Sequence, residues 1–122
     1  MSKKIFLDSF FSQFSEFLTQ LETLFPEDPD FPTYRTGMSM LQRMNPGMVI
    51  SEFKEHVFPF EKVIRAKNSD FFMNYAFSEI NGDNTMEEII KKLKNMWATL
   101  SDGNKEAIWK YIILLVDLAQ RC

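Results

Sequence analysis

Phe6, Leu7, Phe10, Phe11, Phe14, Phe17, Leu18, Leu21, Leu24 and Phe25 recur at steps of three and four. At ~100° per residue they occupy one arc of roughly 140°. Asp8, Ser9, Ser12, Gln13, Ser15, Glu16, Thr19, Gln20, Glu22 and Thr23 fill the opposite side. The spacing predicts an amphipathic helix over 6–25, stopped by Pro26, whose ring cannot continue a helix. Glu27-Asp28-Pro29-Asp30-Phe31-Pro32 follows. Three prolines so close together predict an extended acidic loop that turns the chain.

Tyr34, Met38, Leu41 and Met44 then form a short helical stripe, which Gly37 weakens. Asn45-Pro46 reads as a restart, with Asn as cap and Pro at the first helical position. Val49, Ile50, Phe53 and Val57 continue it, and Phe60, Val63 and Ile64 keep the same face beyond Pro59. A kink is therefore predicted at Phe58-Pro59, where the proline removes the bond to Glu55. Asn68-Ser69 opens a helix through Phe71, Phe72, Tyr75, Ala76 and Ile80, closed by Asn81-Gly82. Thr85-Met86-Glu87-Glu88 has capping-box spacing. Met86, Ile89, Ile90, Leu93, Met96, Trp97 and Leu100 form the stripe behind it, with Glu87–Lys91 and Glu88–Lys92 as expected i,i+4 pairs.

Ser101-Asp102-Gly103 leads into a last helix reaching about Arg121. Its apolar residues, Ile108 to Ala119, cover most of the circumference, and only Glu106, Lys110, Asp117 and Arg121 form a charged strip. Such a helix is expected to be buried centrally or to offer one face to a second copy. No segment alternates like a strand. The fold class is all-α: a compact bundle of six to seven helices over 1–122, a single domain with a buried C-terminal helix.

Composition agrees with a globular chain: 122 residues, 45% hydrophobic and 25% charged, with 13 Phe among the aromatics. A chain of this length buries enough surface to fold without a disulfide or metal. The net charge of −3 is uneven, −4 over 1–32, +3 over 33–67 and −2 over 68–122. The central basic residues are scattered, so no nucleic-acid partner is expected. Cys122 is the only cysteine, which points to an intracellular, cytoplasmic protein. It is not in a prenylation box. Asp8 interrupts the apolar start too early for a signal peptide, and Tyr111–Val116 is far short of the ~20 residues of a membrane span.

Candidate chemistry is sparse, and no catalytic, cofactor-binding or metal residue is assigned. His56 is the single histidine, with no second His or Cys spaced to share a metal. Nucleotide-binding glycine motifs and the nucleophile-elbow motif are absent from the sequence. An EF-hand alignment on Gly82 puts Phe77 where the first carboxylate belongs, so calcium is not expected. Lys91-Lys92-Leu93-Lys94 is offset by Glu87 and Glu88 one turn earlier.

What remains is a surface for partners. Glu27, Asp28 and Asp30 are followed by Phe31 and Tyr34, an arrangement suited to steering and then anchoring a protein partner. Phe58, at the proline kink, joins them as a candidate interaction residue, because it fits no single core-facing stripe. The alternative reading of Phe31 is a plug at the end of the bundle. The N-terminal helix also admits two readings. Its Phe face packs on the core, or its Ser, Thr and Gln-rich opposite face marks a peripheral membrane binder.

Leu21–Phe31, Asn45-Pro46 through Phe53 to Phe72, and Ile108–Ile112 together resemble short uncharacterised all-helical proteins of large DNA viruses of algae and protists. The resemblance implies a viral protein of the host cytoplasm or virion and transfers no site residue. The expected function is a non-enzymatic protein-interaction module without cofactors. The membrane surface and a homo-oligomer through the C-terminal helix are the alternative associations.

Overall fold

The structure is a computed structural model that describes residues 2–74 and 85–122. Helix α1 spans Ser2–Leu24, α2 Asp30–Met44 and α3 Pro46–Val57. A 3-10 turn at Phe58–Phe60 leads into α4, Glu61–Arg65, and α5, Ser69–Asn74. Helix α6 covers Thr85–Met96 and ends in a 3-10 turn, Trp97–Thr99, before α7, Asp102–Gln120. Among the described residues there is no strand. Helix α1 lies between α2 and α7, α7 also packs on α3 and α4, and α6 closes over α2 and α3.

The expected arc of α1 is the core. Phe10, Phe11, Phe14, Phe17, Leu18 and Leu21 are all buried. Phe10 meets Phe53 of α3 edge-on at 5.1 Å, and Phe17 stacks on Tyr111 of α7 at 5.3 Å. Trp97 and Trp109 meet edge-on at 5.2 Å. Aromatic pairs of this kind add about 0.5–1.5 kcal/mol each beyond the area they bury. The C-terminal helix buries Ile108, Trp109, Leu115, Val116 and Ala119. Ile112 and Ile113 are half-buried, and Leu114 remains 38% exposed, because the helix has more apolar faces than neighbours.

Several corners form as their residues dictate. The Asn45 side chain accepts from the Met48 N–H at 3.2 Å, with Pro46 in the first turn of α3. The break at Pro59 is the 3-10 turn. Helix α4 stops in a Schellman arrangement: Asn68 N–H donates to Val63 O and Lys67 N–H to Ile64 O. Lys67 takes the left-handed φ of 54° that this stop needs. Its ammonium is held by Glu106 of α7. Asn68 caps α5 through the Phe71 N–H, and Ser101 caps α7 through the Asn104 N–H.

One corner differs from expectation. Helix α2 begins at Asp30, so Phe31 and Pro32 belong to its first turn rather than to an extended loop. A helix's first N–H groups have no intrahelical acceptor, so Pro32 is tolerated there and presets φ. The predicted helix end at Asn81-Gly82, with Tyr75, Ala76, Phe77 and Ile80, lies outside the described residues, and the capping box at Thr85 borders them.

Replacing Trp109 by Ala removes an indole from the centre of this core. It is expected to cost about 3–5 kcal/mol in a urea melt. At Gly37, an added Cβ would sit 3.7 Å from Thr85 Oγ1, an ordinary contact. Gly37→Ala should therefore raise stability by about 0.5–1 kcal/mol, read from the same melts, through helix propensity alone.

Candidate functional site

The acidic corner is built from two helices and a clasp. Asp28 Oδ1 accepts the Asp30 N–H at 2.9 Å, which turns the chain sharply into α2. Lys92 then reaches across from α6. Its Nζ lies 2.8 Å from Asp28 Oδ2 and 2.8 Å from Asp30 Oδ2. It also sits 5.9 Å above the Phe31 ring. Phe31 is 0% exposed, stacked on Phe25 and edge-on to Tyr34.

Lys92 was expected to pair with Glu88 one turn away on its own helix. Two carboxylates converging on one ammonium outweigh a single exposed i,i+4 partner. The hydrogen bond from Lys92 holds the Asp28 carboxyl below its ordinary range, and the two aspartates raise the Lys92 ammonium. Burial, followed by the nearby Asp30 and Glu88 charges, raises the Tyr34 phenol.

These contacts redistribute the six candidate interaction residues. Glu27 is exposed and Tyr34 half-buried. Asp28 and Asp30 share Lys92, which offsets one of their two negative charges. Phe31 plugs the end of the bundle. It cannot serve as an anchor, because its ring is covered by Phe25, Tyr34 and the Lys92 clasp. Phe58 is half-buried elsewhere, edge-on to Phe53 at 6.4 Å with Lys54 beside its ring. Phe31 and Phe58 share no ring partner in these contacts.

A different apolar surface is exposed. Met40, Met44 and Met48 are 49%, 75% and 41% accessible, strung along the end of α2 and the first turn of α3. Met44 was expected on the inner stripe. It is the last residue of α2, and the chain turns away at Asn45 before a neighbour can cover it. The i, i+4 spacing of Met40 and Met44, offset from Met38 and Leu41, was a legible second stripe.

His56 is half-buried on α3. Its Nε2 lies 3.2 Å from Glu52 Oε2 on α3 and 3.3 Å from Glu87 Oε1 on α6. A core cavity is lined by Phe14, Phe53, Ile64, Leu93, Trp109 and Leu115 among other apolar residues, and no titratable group is described on its wall. No described helix is long and apolar enough to cross a membrane. Comparison with protein-family models, with curated proteins and with solved structures found no match.

The clasp makes a pH-dependent contribution to stability. Asp28 has a lowered folded value, so its contribution is full above the ordinary carboxylate range near about 4 and is lost as the pH falls through the folded value. Lys92→Met should destabilise by about 1 kcal/mol at neutral pH. In paired urea melts that deficit should shrink towards zero as Asp28 protonates. A deficit unchanged at acid pH would mean the lost contribution is packing.

Proposed function

We propose that this chain is a non-enzymatic protein-interaction module whose docking face is the methionine corner of α2 and α3. The observation that carries the reading is the exposure of Met40, Met44 and Met48, three large apolar side chains at the junction of α2 and α3. Methionine is flexible and polarizable, so a row of exposed thioethers adapts to a partner's apolar side chains. Three large apolar residues at one corner are more than scattered surface hydrophobics require. Arg43, in the last turn of α2, adds a positive charge beside this face, which suits a partner with an acidic flank.

The membrane alternative needs the aromatic face of α1 turned outward. Burial of Phe10, Phe14 and Phe17 against α3 and α7 supports the docking reading instead. A viral setting, as the sequence resemblance implies, is compatible with a small adaptor acting on host or virion proteins.

The test compares capture by the wild-type chain and by the Met40→Gln, Met44→Gln, Met48→Gln triple variant from extract of the source cell. All three sites are on the surface, so the variant should melt within about 0.5 kcal/mol of the wild type. A partner captured by the wild type should bind the triple variant at least about tenfold more weakly. Equal capture by both would overturn this face as the docking site.

A further inference from the structure

The outer side of α7 carries a second stripe that the core does not cover. Ala107, Tyr111, Leu114 and Leu118 follow one another at steps of four, three and four. At ~100° per residue they share an arc of about 60°, the spacing of a helix–helix seam. Ala107 and Leu114 are exposed, and Tyr111 and Leu118 are half-buried. Beside the stripe, a groove of about 80 Å3 runs between α1 and α7, with Gln20, Leu24, Ala107 and Tyr111 on its walls. The centre of this face is uncharged, as the centre of an interface is.

The charges along one flank of the stripe indicate what covers it. In chain order they are Glu106, Lys110, Asp117 and Arg121, alternating in sign. Glu106 and Arg121 share one midpoint with Lys110 and Asp117, between Ile113 and Leu114. Turning the helix end for end about that midpoint therefore inverts the sign at every place. A second α7 laid antiparallel sets Lys110 against Asp117 of the other copy, and Glu106 against Arg121. A parallel one would set each charge against its like.

The flank already has contacts within the chain. Arg65 holds Asp117, Lys67 holds Glu106, and Arg121 lies over the Phe6 ring. The two carboxylates nevertheless stay 48% and 46% exposed, and a carboxylate accepts more than one donor. Arg65 is itself offset by Glu61, so the group around Asp117 keeps a net negative charge to meet an exposed Lys110.

We propose that the outer face of α7 is a homodimer interface, on which a second copy of this chain packs its own α7 antiparallel across a two-fold axis near Leu114. Such a contact uses the same patch twice, so it closes at two subunits. Leu114 meets its own copy near the axis, and Tyr111 approaches Leu118 of the second copy. The small Ala107 leaves the groove beside α1 open to the far end of the partner helix. This face is separate from the methionine corner of α2 and α3, and each is tested without the other.

The test is sedimentation equilibrium of the full chain. One helix face is a small interface, so a micromolar dimer is expected. At about 100 μM the wild type should approach twice the mass of one chain. Leu114→Glu places two carboxylates near the axis and should weaken the dimer at least about 100-fold. The site is on the surface, so the thermal midpoint should stay unchanged. Lys110→Glu faces Asp117 of the second copy with a like charge on both sides of the axis. It should weaken the dimer about tenfold at low salt and less at high salt. The Met40→Gln, Met44→Gln, Met48→Gln triple variant should dimerise as the wild type does. A wild type that remains monomeric at about 100 μM overturns the proposal. So does a dimer that Leu114→Glu leaves intact, or one that the methionine variant abolishes. A dimer indifferent to Lys110→Glu overturns the antiparallel order.

Discussion

Everything else in this molecule rests on the enclosure of one aromatic face. Helix α1 presents Phe10, Phe11, Phe14 and Phe17 along one side, and α2 and α7 close over it. The rings interlock with Phe53 and Tyr111 from two other helices, so the first helix sets the spacing of the bundle. No polar or charged side chain is buried among the described residues. The interior is therefore held by apolar burial and dispersion, which are strong in sum but weakly directional.

Direction comes from the rim. Arg35 of α2 grips Glu22 of α1 with two nitrogens, at 2.6 and 3.2 Å. Arg65 of α4 reaches Asp117 of α7 at 2.6 Å, and Lys92 of α6 holds the corner that opens α2. Each pair joins two different elements. Exposed ion pairs add little stability individually, about 0–1 kcal/mol. Their value here is in selecting one register of helices that an apolar interface alone would leave free to slide.

The same division explains where partner chemistry resides. Apolar surface left over from the core accumulates where a helix ends before it is covered, as at Met44. Polar groups that converge do so at helix–helix seams, as at His56, where α3 and α6 bring carboxylates from distant parts of the chain to one nitrogen. The acidic corner has the composition of a docking rim, but its aspartates are occupied by Lys92 and its phenylalanine is enclosed.

Local pattern determined a great deal. The 3.6-residue period of α1, the Asn45-Pro46 restart, the break at Pro59 and the caps at Asn68 and Ser101 are consequences of neighbours within one turn, and each was readable from the chain. So was the all-α class. What the tertiary structure decided is which side chains meet over long separations. Pro32 entered a helix because its missing N–H had no partner to lose there. Lys92 left its own helix for Asp28 and Asp30 because two converging carboxylates hold an ammonium better than one exposed neighbour does. His56 gained Glu87 from 31 positions further along the chain. Periodicity reports the face a residue occupies. It carries no information on which other helix will cover that face, because that choice is made by the packing of the whole core.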